Sequence, residues 1–327
     1  MLDRRDLLVG VASGLIGLAL PRRATAQQQG GTAQQQGGTA AQQAGITRLT
    51  DRLSLTAAGG TNVLAYASPE GLVLVDSGDP AQTAPLMAAV RQAWTPPAGG
   101  PQFVTLFNTH WHLEHTGGNE AIRQAGAKAG ATIVAHENTR LWMATPVWNP
   151  AEDRYRQPRP AAARPDKTFH DAGSMTTANE RIEYGYLIAA HTSGDIYVRF
   201  RDANVLAVGD VASPARDPEL DWFTGAWIGG RVDAMARLLT MCDDRTRIVP
   251  GYGPVMTKAQ LQAEHDVMKT IYDRVFDLVR KGDESSDMLK AGVLNNLPRT
   301  WKDPQRFLYD VQKGLWAHHN KLSADVV

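Results

Sequence analysis

The sequence predicts an α/β fold in which short strands and helices alternate within one domain. Apolar runs of strand length recur between residues 61 and 208, with helical segments between them. Residue types that can bind a metal follow several of these runs. Side chains at the ends of strands are held in place by the rigid scaffold. The last part of the chain, residues 257–321, has only helical spacing. These three observations predict one mixed domain that ends in helices.

The first half of the domain contains four predicted strands. Residues 61–67 and 71–76 are strand-like and are separated by a Pro-Glu-Gly turn. A helix is expected over residues 80–94, because proline is favourable in a first helical turn and alanine-rich spacing follows. Residues 103–107 form a short apolar strand, which leads into a histidine-rich segment. A helix at 118–124, a strand at 131–135 and a helix at 137–143 follow.

The second half begins with a segment that lacks periodicity. Residues 148–165 are rich in proline, arginine and alanine, and we expect a loop. Its arginines could meet an anionic substrate or simply be solvated. They are Arg154, Arg156, Arg159 and Arg164. Strands are predicted at 183–190, 195–201 and 204–208.

The C-terminal segments predict two packing helices. Thr257, with Gln260 three residues later, is a capping-box signature, and Gly282 ends the first helix. The second helix covers residues 303–321. The single cysteine, Cys242, follows an amphipathic segment and is expected to be a buried, small apolar residue.

The N-terminus predicts an export signal. A pair of arginines, Arg4 and Arg5, precedes an apolar run of fourteen residues, and Ala24-Thr25-Ala26 fits a cleavage site. Such a run is shorter than the roughly 20 residues that span a bilayer. We therefore predict a twin-arginine signal peptide at 1–26, a disordered Gln/Gly-rich linker at 27–46 and a domain at 47–327. An uncleaved membrane anchor is the alternative.

Charge limits the class of partner. The chain has 34 basic and 34 acidic residues, and removal of the predicted signal leaves it nearly neutral. A neutral chain lacks the electrostatic footprint of a nucleic-acid or anionic-membrane protein. We expect a periplasmic or secreted protein that acts on a small molecule and does not stay inserted in a membrane.

The most informative segment is Thr109-His110-Trp111-His112-Leu113-Glu114-His115, which is followed by a glycine pair. Three of the nine histidines and one carboxylate lie within six residues. Imidazole and carboxylate are the usual ligands of zinc, and a catalytic zinc site takes three protein groups and leaves a position for water. On an extended segment the rings of His110 and His112 can point to the same side. The spacing indicates a metal site.

Three later segments complete a pattern. They are His191 in Ala-Ala-His-Thr-Ser-Gly-Asp, Asp210 after the strand at 204–208, and Tyr252 in the turn Pro-Gly-Tyr-Gly-Pro. With the first motif they resemble the metallo-β-lactamase-fold hydrolases over residues 48–260. The resemblance implies a four-layer α-β-β-α sandwich with C-terminal helices. It also implies that His110, His112 and His191 hold a first zinc ion, and that Asp210 bridges to a second.

Two positions depart from the family pattern. Glu114 stands where aspartate is usual and Tyr252 where the last histidine is usual. By the family's assignment Glu114, His115 and the residue at 252 hold the second metal, so both departures fall on that site. A phenol is a less common ligand than imidazole. Tyr252 either binds a metal or donates a hydrogen bond to the substrate. We expect one firmly held zinc ion and a second that is weak or missing.

The resemblance implies a metal-dependent hydrolase in which Asp210, Glu114 and Tyr252 take part in catalysis. True β-lactamases of the family lack the bridging aspartate, so esters, lactones, thioesters and β-lactams all stay open as substrates. Ligand type does not exclude iron. The alternative function is a non-catalytic or weakly active metal-binding protein, because the second site is altered.

Three further predictions concern residues around the site. Asp76 is either a turn aspartate or a hydrogen-bond partner of a ligand or loop amide. His136 is expected to be structural. A set of aromatic residues could line an apolar pocket mouth or pack as ordinary core: Trp111, Trp222, Phe223 and Trp227.

Overall fold

The structure is a computed structural model that describes residues 45–94, 103–126, 130–149 and 154–321. The predicted signal peptide and nearly all of the predicted linker lie outside these residues. The first described strand begins at Ile46. Within the described residues, no helix is both long enough and apolar enough to cross a membrane.

The elements alternate along the chain. The strands are β1 (Ile46–Arg48), β2 (Leu53–Ala58), β3 (Thr61–Ser68), β4 (Gly71–Val75), β5 (Phe103–Phe107), β6 (Thr132–His136), β7 (Val147–Asn149), β8 (Arg154–Arg156), β9 (Lys167–Phe169), β10 (Ala172–Thr177), β11 (Glu180–Tyr186), β12 (Ile196–Phe200), β13 (Val205–Gly209) and β14 (Arg247–Pro250). The helices are α1 (Thr83–Ala93), α2 (Leu113–Thr116), α3 (Asn119–Gln124), α4 (Glu137–Ala144), α5 (Ile228–Thr240), α6 (Lys258–Lys281), α7 (Ser285–Lys290) and α8 (Pro304–Lys321).

Two sheets form the centre of the domain. The first has seven strands in the order β1-β2-β3-β4-β5-β6-β9, and the second has five in the order β10-β11-β12-β13-β14. Strands β1 to β4 pair antiparallel, whereas β4, β5, β6 and β9 pair parallel. In the second sheet only β13 and β14 pair parallel. The carboxyl ends of β5, β11 and β13 lead into the segments that bear the predicted ligands.

The four layers follow from the two-residue period of the strands. In β4, Val73 and Val75 face the second sheet, whereas Leu72 and Leu74 join a core that includes Leu86 of α1. In β13 the same alternation places Val205 and Ala207 between the sheets, and Leu206 and Val208 against α5, α6 and α8. Successive side chains point to opposite faces of a strand, so each sheet is covered on both sides. The predicted α-β-β-α sandwich is confirmed.

Several element predictions are confirmed within one or two residues, including β5, α4 and α6. Thr257 caps α6, and Gly282, with φ +89°, ends it. The predicted helix at 80–94 is a 3-10 turn, Pro80–Gln82, followed by α1. The predicted strand at 183–190 ends at Tyr186, and residues 187–194 form a loop. Strands β1, β2, β9, β10 and β14 are additional to the prediction.

The prediction of a loop at 148–165 is partly wrong. Strands β7 and β8 form a hairpin in which Trp148 pairs with Tyr155, and their ring centroids lie 5.1 Å apart. A cross-strand aromatic pair stabilises a short hairpin. It does so here although proline and alanine residues make the strand pattern of the segment hard to recognise. Residues 150–153 lie outside the described residues.

Candidate metal centre

Five of the predicted ligand side chains come together near the ends of strands from both sheets. His110 and His112 follow β5, and His115 lies in α2. His191 lies in the loop after β11, and Asp210 directly follows β13. All five side chains are at least nine-tenths buried. Residues separated by up to 100 positions in the sequence therefore form one compact cluster.

One group of three consists of His110, His112 and His191. One ring nitrogen from each lies within 4.8 Å of the others. The closest pair, His112 Nδ1 and His191 Nε2, is 3.1 Å apart. The Nε2 atom of His110 is buried and has no hydrogen-bond partner within the described part of the chain. These three nitrogens converge on one point.

The opposite ring nitrogen of each histidine is held by an acceptor. His112 Nε2 lies 3.0 Å from Asp221 Oδ2, and His191 Nδ1 lies 2.8 Å from the carbonyl oxygen of Glu219. His110 Nδ1 lies 3.0 Å from the Thr109 hydroxyl, which donates its own proton to Asp76. Each acceptor fixes the proton on the outer nitrogen, so the inner nitrogen keeps its lone pair.

The arrangement of these lone pairs suits a bound metal ion. Two lone pairs 3.1 Å apart, on His112 and His191, repel each other unless a proton or a metal cation lies between them. The Nε2 atom of His110, which is buried without a hydrogen-bond partner in the described residues, also needs a proton or a metal cation beside it, because burying a polar atom without a partner is costly. Three neutral imidazoles with oriented outer nitrogens are the ligand set of a catalytic zinc site.

A second group shares His110 and adds His115 and Asp210. His115 Nε2 lies 3.4 Å from Asp210 Oδ1, and neither atom has a hydrogen-bond partner in the described residues. Asp210 Oδ2 also lies 3.7 Å from His191 Nε2, so the carboxylate sits between the two groups. Glu114 belongs to neither group, although it is half-buried on the adjacent turn.

Two histidines of the cluster, His112 and His115, face carboxylates that favour their charged forms. Burial opposes the charged form of His112 and His115, yet Asp221 raises the pKa of His112 to about 9, and Asp210 and Asp76 raise that of His115 to about 10. Burial also opposes the Asp210 carboxylate, but His115 holds its pKa well below the usual value. The carboxylates are thus arranged to face cations.

Asp76 takes the hydrogen-bonding role, so that alternative is confirmed. It accepts bonds from the backbone N–H and the hydroxyl of Thr109, both at 2.8 Å, and from His115 Nδ1 at 2.8 Å. Its φ of +62° is a left-handed conformation that non-glycine residues rarely adopt. Such strain persists where the surroundings fix it, and here it directs one carboxylate at both ends of the histidine motif, Thr109 and His115.

The comparisons with known proteins agree with this geometry. Residues 56–251 match the profile of the Metallo-beta-lactamase superfamily. The chain belongs to this superfamily. It is therefore a metal-dependent hydrolase, and both the predicted enzyme class and the predicted family are confirmed.

Individual relatives are distant. A metallo-beta-lactamase type 2 from Bacillus cereus is 24% identical over 213 residues, which cover 64% of this chain and 73% of that protein. A second, from Bacillus sp. strain 170, is 23% identical over 210 residues, 64% of this chain and 73% of that protein.

Solved structures show the same fold. A metallo-beta-lactamase from Pontibacter korlensis superposes with a TM-score of 0.55 at 20% identity, covering 69% of this chain and 99% of that one. A stereoselective inverting sec-alkylsulfatase from Pseudomonas sp. gives 0.60 at 15% identity, covering 83% of this chain and 50% of that one.

Tyr252 lies beside the second group of candidate ligands, which consists of His110, His115 and Asp210. Its ring centroid is 5.6 Å from that of His115. Burial raises the pKa of Tyr252 to about 12, which favours the protonated phenol. The preceding Gly251 leaves room for the ligands, because a Cβ there would overlap Asp210 Oδ1 and lie 2.8 Å from His115 Cε1.

Two open cavities flank the metal centre. One, of about 400 Å³, is lined by His112 and by aromatic residues; the aromatic set is Trp111, Trp148, Trp222, Phe223 and Tyr309. The other, of about 450 Å³, is lined by Glu114, Trp111 and Arg159 among others, and Arg156 borders both. Trp227 differs from the other predicted pocket residues, because it stacks on His318 at 3.7 Å and packs against the helical core.

His136 is held by its surroundings as a structural residue. Its Nδ1 accepts a bond from the N–H of Asn138 at the start of α4, and its Nε2 lies 3.0 Å from the carbonyl oxygen of His170. Cys242 is buried, and its thiol donates to the Leu238 carbonyl oxygen, as expected for a small core residue.

Three contributors to the site escaped sequence reasoning. Asp221 accepts bonds from both His112 and Trp111, and Glu219 holds His191 through its backbone oxygen. Arg216 forms an ion pair with Asp210. All three lie in the acidic, proline-containing segment after Asp210, where no spacing signals a ligand contact. Only the folded chain places them.

Proposed function

We propose that this protein is an exported, zinc-dependent hydrolase of a small-molecule substrate. The observation that carries the proposal is the set of inner ring nitrogens on His110, His112 and His191, each with its outer nitrogen held by an acceptor. Neutral imidazoles in that number suit zinc. The apolar run behind Arg4 and Arg5 supports export by the twin-arginine route.

The surrounding residues supply the remaining chemistry. When bound, the metal supplies Lewis acidity and makes water nucleophilic near neutral pH. Asp210, within reach of both groups, orients the attacking water and accepts its proton. Glu114 on the adjacent turn adds a second acidic group. Tyr252 donates its phenolic proton in a hydrogen bond to the negative oxygen that develops on the substrate.

The cavity beside His112 suits a substrate with an apolar part. Tryptophan, phenylalanine and tyrosine side chains line it, and its wall carries both basic and acidic groups, namely Arg156, Arg306, Glu219 and Asp221. Pockets of this kind bind apolar groups on aromatic faces and orient them through few polar contacts. Esters, lactones, thioesters and β-lactams that carry such a group are the substrates to test.

The first test combines metal analysis with a substrate panel. Protein purified from the periplasm is expected to contain zinc, to lose hydrolysis of a panel member after chelation, and to regain it with zinc. Replacing His191 by alanine should remove both metal and activity. Replacing the partly buried His265, which lies on α6 far from the predicted ligands in sequence, serves as the control.

Two results would contradict the proposal. Protein without any transition metal, whose activity zinc does not restore, would refute the zinc site. A zinc-loaded protein that hydrolyses no ester, lactone, thioester, phosphoester or β-lactam would favour the non-catalytic alternative. Export is tested separately: replacing Arg4 and Arg5 by lysine should keep the unprocessed chain in the cytoplasm, and unchanged export would exclude the twin-arginine route.

A further inference from the structure

An arginine enters the metal centre from the segment after β13. The Arg216 Nη2 group forms an ion pair with Asp210 Oδ2. The guanidinium carbon of the same arginine lies 3.6 Å from the centroid of the Tyr252 ring, within the range of a cation–π contact. Arg216 thus contacts both Asp210, the residue that the family uses as a bridge, and Tyr252, which replaces a histidine ligand.

The backbone that carries Arg216 is firmly held. Arg299 donates hydrogen bonds to the carbonyl oxygens of Ser213 and Arg216. The Ser213 N–H donates to Glu264 at 2.7 Å, and the buried Arg231 donates to the Ser213 hydroxyl at 2.8 Å. Glu264 and Arg231 form a buried ion pair at 3.6 Å. The guanidinium is therefore delivered by a fixed loop and does not reach the site from a flexible surface.

The position of this charge conflicts with a second metal ion. Asp210 is the carboxylate that would be shared by two metals, and one of its oxygens is already paired with a cation. A fixed guanidinium beside that carboxylate repels a divalent ion. The other expected ligands are weak or distant, because Tyr252 offers a phenol where the family has an imidazole and Glu114 joins neither group of converging ligand atoms.

We propose that the Arg216 guanidinium takes the place of the second metal ion, so that the centre holds one metal and one built-in cation. The proposal rests on the proposed zinc site of His110, His112 and His191. Arg216 neutralises Asp210, orders the ring of Tyr252 beneath it, and keeps a second divalent ion from binding. Its side chain is 30% exposed, so the guanidinium can also donate to a negative oxygen of the substrate.

The test counts metal ions per chain in purified protein. After zinc saturation and removal of free metal, the wild type should hold one zinc ion per chain by inductively coupled plasma mass spectrometry. Arg216→Gln should gain a second ion, with at least a tenfold rise in affinity at the second site in a competition titration against a chromophoric chelator. Arg216→Gln combined with Tyr252→His should bind it more tightly still.

Two further variants separate the ion pair from a general charge effect. Arg216→Lys keeps the positive charge and should stay at one zinc ion. Arg159→Ala removes a positive charge from a cavity wall beside the site and should also stay at one. Melting curves establish that each variant is folded before its metal is counted.

Each result bears on the proposal in a defined way. Two tightly held ions in the wild type would overturn it without any variant, as would an Arg216→Gln protein that folds and still binds one. An equal gain in Arg159→Ala would show a general charge effect and also overturn it. Absence of zinc from the wild type would instead refute the proposed function on which it rests.

Discussion

At the scale of single residues, the metal centre depends on side chains that do not bind the metal. Each histidine is oriented through its outer nitrogen. The acceptors of His112 and His191 come from the segment after Asp210, and that of His110 is the neighbouring Thr109 hydroxyl. Asp221 is the most informative of these acceptors because two donors, His112 Nε2 and Trp111 Nε1, lie 3.0 and 3.1 Å from the same oxygen. It links the histidine motif to the wall of the aromatic cavity.

Replacing Asp221 by alanine should weaken zinc binding by about 10- to 100-fold, because it removes the acceptor that orients the His112 ring. Competition with a chelator measures the affinity directly. Asp233→Ala, at an exposed position of α5, is the matched control and should not change it. Equal affinities for Asp221→Ala and wild type would show that the His112 ring is held by other contacts.

At the scale of elements, the ends of helices and strands are set by local chemistry. In α6 the Thr257 hydroxyl accepts from the Gln260 N–H, and the Gln260 side chain accepts from the Thr257 N–H at 2.8 Å. This reciprocal pair satisfies two backbone donors that have no partner inside the helix. The helix is long, and its buried face packs against α5.

Replacing Thr257 by alanine should lower the free energy of unfolding by about 1 kcal/mol, since the cap is lost while the packed face is unchanged. Thermal denaturation at a fixed zinc concentration measures the effect. Thr257→Ser keeps the hydroxyl and should recover most of the loss. A serine variant as unstable as the alanine variant would mean that the methyl group, and not the cap, provides the stabilisation.

At the scale of the whole molecule, a buried charge network ties the C-terminal helices to the metal centre. Arg231 on α5 and Glu264 on α6 are both buried and lie 3.6 Å apart. Glu264 also accepts from Ser213, in the segment that carries Arg216. The C-terminal helices therefore stabilise the site as well as cover the second sheet.

Replacing Glu264 by alanine should destabilise the protein by about 3–5 kcal/mol, because it leaves the Arg231 guanidinium buried without its charged partner. Denaturant titration measures this loss. Lys269→Ala breaks an exposed ion pair with Asp273 on the same helix and should cost less than about 1 kcal/mol. Similar losses for both variants would show that the buried network adds little to stability.

The sequence by itself predicted the order of the main elements and five of the side chains that meet at the site, those of His110, His112, His115, His191 and Asp210. Strand β5, helix α4 and the cap of α6 depend on apolar period and capping chemistry between near neighbours, which can be read locally. The histidine motif was predictable because its ligand types lie within six residues after an apolar strand, and His191 and Asp210 because their segments resemble the pattern of the superfamily. Their use as metal ligands is still a prediction.

The tertiary structure alone decided which residues surround those ligands. Edge strands such as β1 and the hairpin of β7 and β8 are short, so their patterns are too weak to predict. Asp221 lies 109 residues from its partner His112, and Arg216 reaches Asp210 and Tyr252 only because Arg299 and Glu264 hold its loop. Contacts of this kind depend on how whole layers pack, and no local spacing encodes them.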